Sequence, residues 1–258
     1  MSFDHAADVY DETRALEPHI VARQTEAMLG VLRERGIDRL LEVGIGTGRI
    51  TRPIMQRGAR VSGIDISPRM MARLREQLSA EHLTPDLLLG DATWQPLRDA
   101  SFCAVLMVHV LHLVSNWQRT LAEMRRVLAP SGVFLHDRTR YDEDNPWRPA
   151  MDKREQLLED FGIPVRRRPK VEEIEDALKA MGGSLRIVSY HREQELNVAS
   201  HLIERLRART DSWTWEIPED VHPAFLAQYE AWCREHYDLE REYAQPVNYA
   251  LEVWSFNR

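Results

Sequence analysis

The chain has 258 residues, of which 43% are hydrophobic, and it carries 34 Lys+Arg against 41 Asp+Glu for a formal net charge of −7. This composition excludes a disordered chain, a collagen-like fibre and a disulfide scaffold, and at roughly 150 residues per domain it allows one large domain or a domain with an embellishment. The acidic balance argues against nucleic acid and anionic membrane as partners, because both reward clustered Lys and Arg.

The N-terminus has no basic stretch followed by an apolar one, so no secretory leader is expected. Residues 18–35 have the spacing of an amphipathic helix, with Ile20, Val21, Met28, Val31 and Leu32 on one face and Gly36 placed to end it. A first strand follows at 39–43, then a helix over 47–57 with Pro53 inside it, where a bend or a lost backbone bond is expected. A second strand at 59–64 leads to Ser67-Pro68, a helix cap with proline at the first helical position. Met71, Leu74 and Leu78 form the buried face of that helix. Short apolar runs give a third strand at 87–89 and a central fourth at 102–108. The stretch 102–114 is the longest apolar run, and its 13 residues are too few to cross a bilayer. A helix over 116–128 and the turn Pro130-Ser131-Gly132 precede a fifth strand at 133–137.

Beyond this point the pattern is less regular. Residues 140–168 are polar and broken by prolines, 170–181 read as a helix, and 185–190 as a sixth strand. Helical patterns near 198–209 and 219–237 precede a last strand at 249–256. Alternating strands and helices predict βαβ units on a parallel sheet. Cys103 and Cys233 are isolated thiols, which suits a reducing, cytoplasmic compartment.

The most informative segment is Glu42-Val43-Gly44-Ile45-Gly46-Thr47-Gly48. A strand runs into three glycines and a helix starts at once, so a ligand can approach the backbone and the unpaired N–H groups of the helix start. The dinucleotide spacing is not met, because Arg49 stands where the third glycine would be; this disfavours a nicotinamide-dependent oxidoreductase. Asp65 ends the second strand, 21 residues after Gly44, where a carboxylate can accept both ribose hydroxyls. Asp91 ends the third strand and can accept from an adenine amino group. Glycine loop, Asp65 and Asp91 in this order indicate a nucleoside site at the carboxyl ends of the strands.

These segments, with Gly63-Ile64-Asp65-Ile66-Ser67, Gly90-Asp91-Ala92 and residues 102–114 and 121–132, make the chain similar to the class I S-adenosylmethionine-dependent methyltransferases. The resemblance is to the ubiquinone/menaquinone-biosynthesis-like branch of small-molecule enzymes and covers roughly residues 5–140. It implies a doubly wound, mostly parallel, seven-stranded Rossmann-like sheet with an antiparallel last strand and a helical lid insertion. The implied layout is one domain over 1–258. It has a helical cap at 1–36, a cofactor core at 37–138, and substrate-lid insertions at 140–168 and 198–245. For the cofactor, the resemblance implies that Gly44, Ile45, Gly46, Thr47 and Gly48 lie along the methionine part. Asp65 would hold the ribose, and Ile66 and Met70 the adenine faces. Asp91 and the Ala92 N–H would hold the adenine edge, with Val108 and His109 beside the sulfonium. Tyr10, in a Tyr-Asp motif with Arg14, would close over the site.

The expected activity is in-line methyl transfer to an O, N or C atom of a small molecule, apolar or aromatic because residues 198–245 are rich in Trp and Tyr. His109 and His112 end the fourth strand and are the candidate general bases. His136, Asp137 and Tyr141, and Trp147, Trp213 and Trp215, are candidate acceptor-pocket residues. No residue is assigned to a metal, and the protein is expected as a monomer or homodimer. A non-catalytic cofactor-binding module is the alternative. An RNA-methylating enzyme using Arg166-Arg167-Arg168 ranks below it.

Overall fold

The computed structural model describes residues 17–114, 116–141, 144–164 and 169–256. Tyr10, Arg14 and the 166–168 arginines lie outside these residues. The chain divides into two compact units, one formed by residues 1–139, 168–191 and 249–258, the other by 140–167 and 192–248.

In the first unit, helix α1 (Pro18–Glu34) precedes strand β1 (Arg39–Val43). Helix α2 (Thr51–Met55), strand β2 (Arg60–Asp65), helix α3 (Pro68–Ala80) and strand β3 (Asp86–Leu89) follow. Then come strand β4 (Phe102–Val108), helix α4 (Trp117–Val127) and strand β5 (Leu128–Tyr141). After helix α5 (Arg148–Asp160), helix α6 (Val171–Ala180) leads into strand β6 (Gly183–Val198), and strand β7 (Glu242–Phe256) closes the order. The seven strands lie in the order β3-β2-β1-β4-β5-β7-β6. β1 pairs in parallel with β2 and β4, β2 with β3, and β4 with β5. The sheet is mixed and mostly parallel, with antiparallel character at its last strands.

Adjacent strand residues point to opposite faces. Leu40, Ala104, Leu106, Val133 and Leu135 therefore join Met28, Leu32, Ile54 and Leu74 in one core. Leu41, Val105, Met107 and Phe134 join Leu121, Met124, Leu178 and Trp254 in the other. Strands buried on both faces are continuous apolar runs, which is how β4 reads in the sequence.

Several expected bounds shift. The helix expected over 47–57 shrinks to one turn at 51–55, because Gly48 holds φ at +79° and the backbone cannot be helical there. β5 begins at Leu128 rather than Val133. Phe102 pairs with Leu128 and Ala104 already with Val133, so the Pro-Ser-Gly turn bulges out of a continuous strand. In the second unit, α5 occupies a stretch read as irregular. Pro149 sits in its first turn, where a missing N–H costs nothing. Helices α7 (Ser200–Arg207) and α8 (His222–His236) bury Leu206, Phe225, Tyr229 and Cys233 in that unit's own core with Ala150 and Leu157.

Candidate functional site

Parallel register brings the carboxyl ends of four strands to one edge. Val43 is level with Ile64 and Met107, and Asp65 is level with Leu89. A cleft lies at this edge. Gly44, Gly46, Asp65, Ile66, Met70, Asp91, Ala92, Val108 and His109 all line it.

The loop after β1 is tied down from β2. Gly44 and Ile45 donate their N–H groups to Ile64 O at 2.8 and 3.2 Å. The Asp65 carboxylate accepts from Gly46 N on Oδ2 and from Ser67 N on Oδ1, both at 2.8 Å, joining the glycine loop to the cap of α3. The Ser67 hydroxyl accepts from Met70 N at 3.1 Å, as the Ser-Pro pattern predicts. A Cβ on Gly46 would meet nothing within 4 Å, so backbone and open space face each other in the cleft. Ile45, Thr47 and Gly48 differ from expectation: they are buried and do not line the cleft. Ile45 fills the space that a side chain on Gly63 would take, and Gly48 abuts Leu74, so these two hold the loop's shape.

At the end of β3, Asp91 Oδ1 accepts from Thr93 N and Thr93 Oγ1, both at 2.8 Å. Its Oδ2 receives no hydrogen bond among the described residues, which leaves an acceptor for an incoming N–H donor. His109 follows β4 with φ +55°, an uncommon backbone state for a side-chain-bearing residue at a cleft. His112 is half-buried, does not line the cleft, and sets its ring edge-on to His109 with centroids 6.2 Å apart.

Two of the buried groups near this edge are carboxyls. Glu42 accepts a hydrogen bond from Thr51 Oγ1, and burial pushes its carboxyl up to about 8 against the lowering effect of Arg49. Asp137, level with Val108 in the sheet, accepts from Gln24 Nε2 at 3.0 Å and Tyr190 OH at 3.2 Å. Burial raises it to about 7.

His136, expected in an acceptor pocket, instead sets Nδ1 3.1 Å from Glu252 inside the first unit. Asp137 is likewise interior, and neither lines the cleft. In the second unit, Trp147 is buried against Tyr237 and Tyr243. Trp213 packs on Phe225 under Arg154, and Trp215 donates Nε1–H to Arg209 O. These indoles serve that unit's own packing, and Tyr141 lies exposed in the same unit. Sequence reasoning missed Ile64, Gly90, Thr93, Val110, Leu113 and Val114, which also line the cleft. The i, i+3, i+4 spacing of the last three is the signal that was available.

Residues 41–136 match the family described as a methyltransferase domain, from β1 into β5. The chain is 40% identical over 138 residues to a demethylmenaquinone methyltransferase of Tropheryma whipplei, covering 52% of this chain and 55% of the relative. It is 34% identical over 134 residues to a malonyl-[acyl-carrier protein] O-methyltransferase of Serratia marcescens, covering 52% and 49%. The chain thus spans about half the length of the curated relatives it matches. Among solved structures, the YcgJ protein of Bacillus subtilis superposes with TM-score 0.63 at 16% identity over 92% of this chain and 99% of that one. A SAM-dependent methyltransferase of Thermotoga maritima does so with TM-score 0.56 at 18% identity over 99% and 98%. At these identities the structural likeness concerns the fold.

Proposed function

We propose that this chain, which carries a class I methyltransferase domain over residues 41–136, moves a methyl group from S-adenosylmethionine to an O, N or C atom of a small molecule. One observation carries the reading. A single cleft at the carboxyl edge of the sheet gathers a glycine backbone cradle and two carboxylates at neighbouring strand ends. The donor set fits an adenosyl ligand. Asp65, braced by two backbone N–H groups, presents its carboxylate to the cleft where a ribose diol would lie. Asp91 offers Oδ2 to the adenine amino group and Ala92 its N–H to a ring nitrogen, while Ile66 and Met70 supply apolar contact for the base. The backbone at Gly44 and Gly46 takes the amino-acid end.

When bound, S-adenosylmethionine supplies an already activated methyl group, so the protein's task is alignment and exclusion of water. Val108, His109, Val110, Leu113 and Val114 give the β4 side of the cleft an apolar wall with one imidazole in it. His109 is the group placed to take a proton from a hydroxyl or amine acceptor, and His112 orients it ring edge to ring face. The named relatives are methyltransferases of demethylmenaquinone and of malonyl-[acyl-carrier protein]. This supports a small organic acceptor, free or carrier-linked, and the net charge of −7 supports it over nucleic acid.

Methyl-labelled S-adenosylmethionine offered with phenolic quinols, carboxylic acids, amines and RNA tests the proposal. Label in one of the first three classes is expected. Label in RNA alone, or in none after S-adenosylmethionine binding has been verified, overturns it.

A further inference from the structure

Three metal-ligating side chains gather away from the cleft. His19 stands in the first turn of α1, and His191 and Glu193 stand on β6. Each offers one ligand atom, an imidazole nitrogen or a carboxylate oxygen, and these atoms all lie within 4.8 Å of one another. β6 runs unbroken from Gly183 to Val198, so Glu193 presents its side chain on the same face of the strand as His191, two positions before it. The two imidazoles meet edge to face, with ring centroids 5.1 Å apart and planes at 83°. None of the three lines the cleft.

The elements that carry them are tied together independently. Arg186 Nη2 of β6 donates to Glu34 Oε2 of α1 at 2.6 Å. Gln24 Nε2 of α1 and Tyr190 OH of β6 both donate to Asp137 Oδ1, at 3.0 and 3.2 Å. His191 follows Tyr190 directly and sets its ring against Tyr249, with centroids 5.8 Å apart. The backbone under both imidazoles is therefore placed by other contacts, and an ion has only side-chain rotamers to order. Arg23 opposes an ion here. Its Nη1 lies 3.4 Å from His191 Nδ1, and a guanidinium only donates, so this contact engages a nitrogen lone pair and brings a positive charge to the group.

Two imidazole nitrogens and a carboxylate oxygen suit a borderline divalent ion. Zn²⁺ takes such donors with bonds of about 2.0–2.2 Å and holds water in a remaining position. Around a tetrahedral ion such bonds set the ligand atoms about 3.4 Å apart, so small side-chain rotations close the set. We propose that His19, His191 and Glu193 form a zinc site that staples the start of α1 to β6. The inference does not depend on the cofactor reading.

Calorimetric titration of zinc chloride into the chelator-treated full chain tests it, in wild type, His19→Ala, Glu193→Gln and Arg23→Gln. Wild type is expected to take up one Zn²⁺ saturably, and Mg²⁺, which prefers all-oxygen sites, is expected not to compete. Even outer-shell partners of a metal are worth about 10–100-fold in affinity, so losing a direct ligand in His19→Ala or Glu193→Gln should weaken binding at least about tenfold. Arg23→Gln should tighten it by about two- to fivefold, the range of an exposed charge pair. His19 is exposed, so the metal-free unfolding midpoint of His19→Ala should match wild type. Saturating Zn²⁺ should raise the midpoint of wild type and leave that of His19→Ala unmoved. No saturable uptake by folded wild type overturns the inference. So does wild-type affinity in either His19→Ala or Glu193→Gln, which takes α1 or the carboxylate out of the site. Displacement of Zn²⁺ by equimolar Mg²⁺ overturns it as well.

Discussion

Asp65 carries two duties at once. Its carboxylate braces the glycine loop through Gly46 N and the start of α3 through Ser67 N, and it faces the cleft. Removing it leaves two N–H groups without their charged acceptor, a loss of about 1–3 kcal/mol in hydrogen bonding of this type. Asp65→Asn, which keeps an acceptor oxygen but not the charge, should retain the fold while weakening S-adenosylhomocysteine at least about tenfold; equal affinity by calorimetry would contradict the ribose role. Glu42 and Asp137 make a different prediction. Their ordinary values are 4.5 and 3.8, and burial raises them to about 8 and about 7 in the fold. Between those limits the folded state binds more protons than the unfolded one, so their contribution is full below about pH 4 and is lost as pH rises to about 8. Glu42→Gln and Asp137→Asn should each flatten the decline in thermal stability over that window relative to wild type. Variant curves running parallel to wild type would show that the carboxyls are not held neutral.

At the level of elements, local rules were legible where one residue decides the geometry. Ser67-Pro68 announces the α3 cap, and the continuous apolar run of β4 announces a doubly covered sheet. They failed where a rule has two outcomes. Pro149 reads as a breaker but begins α5, because proline suits the first helical turn and is costly only further in. The 183–198 strand runs on past Tyr190 through His-Arg-Glu-Gln-Glu, which reads as loop, since an edge strand needs no apolar face on its outer side. The turn wall of Val110, Leu113 and Val114 was hidden inside the apolar run that gave β4. The two kinds of glycine separate cleanly. A Cβ on Gly48 would come within 2.2 Å of Leu74 Cδ1 at φ +79°, so Gly48→Ala should cost about 2–4 kcal/mol in chemical denaturation. Gly30, inside α1 with nothing within 4 Å, should gain up to about 1 kcal/mol as alanine. Similar effects at both positions would contradict the packing described for the loop.

Across the whole molecule, the half that runs from β1 to β5 is the part the sequence announces, because its motifs are short, local and fixed in order. The second unit is less legible. Its helices are defined by mutual burial around Phe225 and Leu206, and aromatic spacing alone did not distinguish packing indoles from pocket indoles. The central claim is that the carboxyl-edge cleft is an adenosyl site. It is tested most directly by calorimetric titration of S-adenosylhomocysteine into the wild-type chain, with NADH titrated in parallel. The account predicts saturable, one-to-one binding of S-adenosylhomocysteine and none of NADH. Absence of S-adenosylhomocysteine binding to the folded protein, or binding of NADH in its place, would contradict it.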